Sequence, residues 1–192
     1  MNHYERFYMD VNTIPIAYTF DDVQIVPQFS NVDSRSEVDL QTKFTRNFNI
    51  KSPLVAAPMD TVCGSDMAIA LYDLGGVGVI HRYDSIQEQC NNVKKVITHI
   101  QSSTSDNFKQ YSVIAAAIGA TGDFNERAIE LLRTGANVLV IDVAHGHHAH
   151  VRAAMDKLNI LKSSHIFDIV VGSIATPDAA ISAVKWGADA LR

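Results

Sequence analysis

From residue 53 onward the chain repeats one pattern: a short continuous apolar run, a turn, then a longer stretch whose apolar residues recur three and four apart. The runs are Pro53-Leu54-Val55-Ala56-Ala57-Pro58, Val77-Gly78-Val79-Ile80-His81, Val113-Ile114-Ala115-Ala116-Ala117-Ile118-Gly119, Val138-Leu139-Val140-Ile141-Asp142 and Asp168-Ile169-Val170-Val171-Gly172. Asp189-Ala190-Leu191-Arg192 begins a sixth. Apolar runs without polar alternation read as strands buried on both faces, the parallel-sheet kind. The stretches between them carry helix signals. Ser65 stands as a cap before Met67, Ala70, Leu71 and Leu74, and Gly75-Gly76 closes that helix. Ser85 and Glu88 have capping-box spacing, ahead of a stripe of Ile86, Cys90, Val93, Ile97 and Ile100. Asp123 and Glu126 repeat that logic with an acidic cap, before a helix ending at Gly135. A helix over 149–161 follows, and Thr176-Pro177 opens another that stops at Gly187.

Sustained strand–helix alternation means an α/β fold with parallel strands joined by right-handed crossovers. Two architectures satisfy it, a doubly wound open sheet and a (β/α)8 barrel. No GxGxxG follows the first strand, which removes the main dinucleotide fingerprint of the open sheet. Five βα units and the start of a sixth point to a TIM barrel of which only part is present, since a full one takes about 250 residues. Before the alternation, residues 1–17 read as an N-terminal arm. Residues 19–27 read as a short strand or extended arm, and 34–50 as two short antiparallel strands around Val38-Asp39-Leu40 and Lys43-Phe44-Thr45. Residues 101–111, rich in serine, read as a flexible loop.

The fourth run carries the chemistry. Four apolar residues lead into Asp142, and Val143-Ala144-His145-Gly146-His147-His148 follows. Ligands in α/β folds bind at the carboxyl ends of the strands, which makes Asp142 a candidate binding carboxylate. The histidines 145, 147, 148 and 150 offer a competing metal site. Zinc needs three or four converging ligands, and these enter a helix on different faces, so we read them as surface polar residues and expect no metal. His81 reads as a histidine of the core or one that supports the site from behind, rather than a substrate contact. Arg82 beside it either reaches a phosphate or is solvated. The two cysteines, with no CxxC, fit a reducing, cytoplasmic setting. Cys90 sits on a helical apolar stripe as a core residue; Cys63 follows a strand-end turn, where core packing and reactivity both fit. A net charge of −5 without basic clusters gives no nucleic-acid footprint. No apolar run reaches the roughly 18–20 residues that span a bilayer, and the N-terminus lacks a signal-peptide pattern.

Several segments then match one family in order: Thr19-Phe20-Asp21-Asp22-Val23 with Val26-Pro27, Ser36-Glu37-Val38-Asp39-Leu40, Pro53 to Ala57 running into Pro58-Met59-Asp60-Thr61-Val62, Gly75-Gly76-Val77-Gly78-Val79-Ile80-His81, and Asp142-Val143-Ala144-His145-Gly146-His147. The chain resembles the catalytic barrel of IMP dehydrogenase and its relative GMP reductase, over about 18–192, with no regulatory domain inserted. The resemblance implies a cytoplasmic purine-nucleotide oxidoreductase, usually a homotetramer. In such enzymes a loop cysteine attacks C2 of IMP, hydride passes to NAD, and water releases XMP. A potassium ion sits by the cysteine loop. The reductase deaminates GMP with NADPH.

Carried over by position, the resemblance implies that Met59 lines the nucleotide pocket and that Asp142, with Val143, Ala144 and Gly146, holds the cofactor. Asp142 would grip the nicotinamide ribose, and Gly146 would let backbone approach the ligand. Arg192 falls near the reacting centre. Ser173 stands on the substrate side where the family usually has Asn, and Ala57 where dehydrogenases often have Ser. The phosphate-binding glycines, cysteine loop, potassium site and flap would follow Arg192, so neither Cys63 nor Cys90 takes the nucleophile's place. The resemblance therefore implies a fragment or split piece, inactive alone, whose partner would be a complementary C-terminal half; the alternative is an inactive truncated half-barrel or a piece that only binds a nucleotide. Ala190-Leu191-Arg192 and the run through Met59 lean towards IMP dehydrogenase. Residues 34–37 and 80–83 lean towards GMP reductase.

Overall fold

The computed structural model describes residues 16–103 and 112–192. The N-terminal arm through residue 15, and 104–111 of the expected loop, lie outside the described residues. The chain divides into two units, one through Val38 and the other Asp39–Arg192.

The first unit contains two 3-10 turns, Phe20–Asp22 and Arg35–Glu37, and no strand among its described residues. Of the two readings over 19–27, the strand does not form, while the backbone at Thr19 and Val23 is extended on either side of the first turn. The Asp22 carboxylate instead accepts from the Thr19 N–H at 2.8 Å and its hydroxyl at 2.9 Å. Such local side-chain bonds favour a turn over extended pairing. Ser34 likewise caps the second turn through the Ser36 N–H.

The second unit opens with a hairpin of β1 (Thr42–Lys43) and β2 (Asn49–Ile50), antiparallel in the register Thr42 with Ile50. The expected pairing of 38–40 with 43–45 is corrected by a few residues, because the Phe44 and Thr45 N–H groups both donate to the Phe48 carbonyl and close the turn there. Then come β3 (Val55–Ala56), α1 (Ser65–Asp73), β4 (Val77–Ile80), α2 (Ile86–Ser102), β5 (Ala115–Ile118), α3 (Phe124–Thr134), β6 (Val138–Asp142), α4 (Ala149–Leu161), β7 (Asp168–Gly172), α5 (Pro177–Lys185) and β8 (Ala190–Leu191).

Strands β3 to β8 form one six-stranded parallel sheet in sequence order. That order decides the architecture. A doubly wound sheet reverses its strand order at a switch point and puts helices on both faces. Sequential order with crossovers of one hand keeps all the helices on one side, as in a barrel. The side chains agree. Leu139 and Ile141 of β6 pack with helix residues such as Leu131, Met155 and Leu158, while Val138 and Val140 point the other way. The second face is filled by Val77, Val79, Ala115, Ala117 and Val170, with Phe44, Phe48 and Ile50 of the hairpin, and by no helical residue. This alternation places both faces in apolar surroundings and explains the unbroken apolar runs.

The helix signals hold with local corrections. Ser85 accepts from the Glu88 N–H, and Glu88 reaches back to the Ser85 N–H, a complete capping box. Helix α2 runs on through Ser102, past the expected loop start. On α1 the cap falls on Gly64, with Ser65 already helical. Asp123 is the N-cap of α3 as expected, but its side chain makes no cap hydrogen bond. Its carboxylate pairs with Arg127 at 2.7 Å, a charge-assisted bond that draws it away from the helix N–H groups. Gly135, at φ 115°, ends α3 in the left-handed region where a Cβ would be strained.

The hairpin is pinned to the N-terminal ends of the strands. Asp168, 3% exposed at the start of β7, accepts from the Thr45 hydroxyl at 2.6 Å, the Asn47 N–H at 3.0 Å and the Asn47 side chain at 2.8 Å. Further along the inner face an apolar groove of about 250 Å³ stays open, lined by Phe44, Val55, Val79, Val140, Val170 and Leu191 among others.

Candidate functional site

Parallel strands deliver their last residues to one rim, and here that rim gathers charged and small residues. Beyond β4 stand His81 and Arg82, beyond β5 Gly119, at the end of β6 Asp142, beyond β7 Ser173, and beyond β8 Arg192. The pairing of Asp142 with Gly172 and of Val171 with Leu191 brings the last three side by side.

Asp142 lies between two arginines. The Arg192 Nη2 donates to its Oδ1 at 2.7 Å and to the Ser173 hydroxyl at 3.1 Å. From the other side Arg82 donates through Nη2 to the Asp142 main-chain oxygen at 3.2 Å, with its Nε 3.9 Å from Oδ2. Oδ2 accepts no hydrogen bond among the described residues, and the side chain keeps 15% of its surface open. The guanidinium of Arg82 also lies 5.4 Å from the centre of the Tyr83 ring. Gly172 lets Arg192 in: a Cβ there would stand 2.7 Å from the Arg192 Nε.

Sequence-expected residues thus separate into groups. Asp142, Ser173 and Arg192 come together in one hydrogen-bonded cluster. Val143 continues the ladder past β6, its N–H reaching Gly172 and its carbonyl accepting from Ser173. Gly146 makes the close approach expected of it, but to the protein's own backbone. Its N–H donates to the Ser173 carbonyl at 2.8 Å. A Cβ at Gly146 would come equally close to that oxygen, 2.8 Å. Ala144 is exposed. Met59, 51% exposed beyond β3, is not part of the Asp142 cluster; its carbonyl closes the turn by accepting from the Val62 and Cys63 N–H groups.

Arg82 was legible only as an alternative, and the structure gives it a second role. With Gly119, Thr121, Val143, His145, His148 and His150 it lines a cleft of about 170 Å³ beside Asp142. His148 caps α4 by accepting from the His150 N–H, and the two rings stack 4.7 Å apart. His147 turns away to the Ser182 hydroxyl and the Trp186 ring. The signal for this cleft was the Arg82–histidine combination itself, split over two strand ends that only the fold joins.

A buried polar set supports the rim from behind. Gln89, fully buried, donates to the Ile80 and Ala117 carbonyls at the ends of β4 and β5. Arg127 donates to the Gln89 side-chain oxygen at 2.7 Å and to the Asp84 carbonyl at 3.1 Å, holding the turn that carries Arg82. Cys63 settles as a packing residue. It is fully buried, and burial pushes its thiol up to about 11, away from nucleophilic behaviour. Cys90 is buried in the core as expected.

Residues 17–192 match the family model described as "IMP dehydrogenase / GMP reductase domain". The chain belongs to the IMP dehydrogenase / GMP reductase family. It is 32% identical to an inosine-5'-monophosphate dehydrogenase of Cryptosporidium parvum over 216 residues, 96% of this chain and 52% of that protein. It is 28% identical to the same-named enzyme of Nitrosopumilus maritimus, over 91% of this chain and 60% of that protein. The chain therefore spans a little over half the length of these family relatives. A crystal structure of GMP reductase from Trypanosoma brucei, in complex with guanosine 5'-triphosphate, superposes with a TM-score of 0.81 at 25% identity. That match covers 94% of this chain and 71% of the other. The sequential parallel sheet is accordingly the family's barrel, seen in part. Among the described residues no helix is long and apolar enough to cross a membrane.

Proposed function

We propose that this chain supplies the cofactor side of a cytoplasmic, IMP dehydrogenase-like enzyme converting IMP, NAD and water to XMP, NADH and a proton. The observation that carries this reading is Asp142. Its Oδ2 is free to accept, its Oδ1 is fixed by Arg192, and it stands at a strand mouth where a ribose can present two hydroxyls to one carboxylate. When bound, the dinucleotide supplies the hydride acceptor. Asp142 holds the nicotinamide ribose, Arg192 orients Asp142 and faces the reacting centre, and Ser173 offers a hydroxyl on the substrate side. The identity shared with two dehydrogenases and the Ala190-Leu191-Arg192 ending support this direction of reaction.

Cys63 and Cys90 are buried, so a cysteine nucleophile would come from beyond these residues, as would the phosphate-binding glycines and potassium site. The open apolar groove and the edges of β3 and β8, unpaired among the described residues, fit a complementary C-terminal half completing the barrel. A GMP reductase acting with NADPH is the second reading, favoured by the trypanosomal reductase structure and by Arg82 after His81.

The 192 residues alone should show no NAD-dependent oxidation of IMP, and co-expression with a piece carrying the cysteine loop should produce it. Nicotinamide riboside should bind the chain saturably and lose affinity about ten-fold or more in Asp142→Asn, the scale of one charge-assisted hydrogen bond. Equal binding by both forms would remove Asp142 from the cofactor site.

A further inference from the structure

We propose that His81 is a proton-operated latch on the turn between β4 and α2: its bare Nδ1 holds the Tyr83 N–H, and the protonated ring lets that amide go. Nothing in the activity proposed above uses this side chain. His81 is nonetheless 7% exposed, a buried imidazole at the end of β4.

Its one close ring contact fixes its state. The Tyr83 N–H donates to Nδ1 at 3.3 Å. A main-chain amide can only donate, so Nδ1 must present a lone pair, and the neutral ring carries its hydrogen on Nε2. A second proton can then enter only at Nδ1. It competes with the Tyr83 N–H for a single lone pair. The charged ring has two donors and no acceptor, so the amide must part from it. Turning the ring over does not rescue the bond, because that presents a carbon in place of Nδ1.

The surroundings let the ring take that charge. Asp84 Oδ2 lies 3.7 Å from Nε2 and becomes the counter-ion of the charged ring, while burial pulls the other way. Asn92 donates to the same Oδ2 at 3.3 Å. Glu88 and Lys95 of α2 share a cleft with Asp84 and carry opposite charges. Arg127 of α3, paired with Asp123, donates to the Asp84 carbonyl at 3.1 Å. On the side of the loop after β3, the Cys63 carbonyl accepts from the His81 N–H at 3.2 Å, and burial pushes the Cys63 thiol up to about 11, where it stays neutral. An imidazole is the one side chain of this set whose ordinary range falls between about pH 5 and 8.

Both ends of the turn are thus tied, His81 to Cys63 and Asp84 to Arg127, so a released amide moves the middle. There the Tyr83 ring lies 6.2 Å from the His81 ring and 5.4 Å from the Arg82 guanidinium. Arg82 in turn donates to the Asp142 main-chain oxygen at 3.2 Å. Protonation of His81 therefore loosens the hold of Arg82 on Asp142. If Asp142 holds a ribose, as proposed above, acid weakens that grip; the latch itself does not rest on that reading.

Nitrogen NMR of the full 192-residue chain tests the latch. At about pH 8 the His81 ring should be in its Nε2–H form, with Nδ1 unprotonated. On acidification towards about pH 5 the Tyr83 amide should shift with the same midpoint as the His81 ring, and its protection from exchange should fall about ten-fold, the scale of one hydrogen bond. His81→Asn places a side-chain oxygen near the Nδ1 position, an acceptor that does not titrate. In that variant the Tyr83 amide should keep its resonance and its protection across the same range. Should His81→Asn fail to fold, the ring form and the Tyr83 response of the parent chain decide alone. An Nδ1–H ring at about pH 8, a ring that stays neutral until circular dichroism shows the fold lost, a Tyr83 amide indifferent to the ring, or the same Tyr83 shift in a folded His81→Asn overturns the latch. No nucleoside enters these measurements, so the Asp142 reading stands or falls separately.

Discussion

Two aspartates at opposite ends of neighbouring strands show how this fold divides its labour. Asp168 opens β7 at the N-terminal rim. It is 3% exposed and receives three hydrogen bonds from the hairpin, all from uncharged donors. Asp142 closes β6 at the C-terminal rim, 15% exposed, against charged partners on long side chains and beside an open cleft. The first carboxylate has every near neighbour it needs from the protein. The second keeps an unused oxygen. In barrels the N-terminal rim carries stability and the C-terminal rim carries chemistry, and the difference between these two environments is that division at the level of single atoms.

The largest effect should come from breaking the first. Asp168→Ala leaves the buried Thr45 hydroxyl unpaired, removes two bonds from Asn47 to an ionised carboxylate and frees the hairpin, for a loss of roughly 3 kcal/mol. Asp142→Asn should cost under about 1 kcal/mol, since its partners can turn to solvent. Urea midpoints of the two variants against the parent measure this. A larger loss at Asp142 than at Asp168 would reverse the assignment of the two rims.

Most of the stability end was legible in residues, because it is written in runs. Val138 to Ile141 announced a strand buried on both faces, and Ser85 with Glu88 announced a helix start, since both signals depend on near neighbours. Asp168 was legible only as the first letter of a strand. Nothing local says that Thr45 and Asn47, more than 120 positions earlier, will meet it. The site end split in the same way. Asp142 stood out by ending an apolar run, but its pairing with Arg192 spans 50 positions, and the bond from Arg192 to Ser173 spans 19. Arg82 and the histidines of α4 lie on separate strand ends, so their shared cleft is a product of strand order rather than of spacing. The cap hydrogen bond expected of Asp123 failed for a related reason. A guanidinium one turn along the same helix competed for its carboxylate, and the buried contact of Arg127 with Gln89 held it there.

Arg127 tests whether the two rims are independent. It is 6% exposed and joins α3 to Gln89 and to the Asp84 carbonyl, below the turn that carries Arg82. Arg127→Met should cost about 2 kcal/mol by leaving the Gln89 oxygen unpaired in the core. It should also disturb the C-terminal rim selectively. Amide exchange should quicken around Asp84 and Arg82 before it quickens around Thr45 and Asn47. Uniform quickening would mean that the network supports the sheet as a whole.

A third carboxylate extends the comparison to its weakest member. Glu88 is fully exposed, and its capping-box bonds to the Ser85 hydroxyl at 2.7 Å and N–H at 3.2 Å hold its pKa below the ordinary value of 4.5. A carboxyl whose folded pKa is depressed stabilises the native state fully above its unfolded pKa. That contribution fades as pH falls through the lower, folded value. The Glu88 contribution is therefore complete at neutral pH and begins to fade as the pH falls below 4.5. Glu88→Gln keeps the shape and removes the charge, so its small deficit in thermal midpoint should be visible at pH 7 and shrink towards zero as the buffer is taken to pH 3. Because Glu88 starts the helix leaving the β4 end, a deficit that persists unchanged in acid would show that packing at that helix start, not the carboxylate's charge, sets the entry of α2.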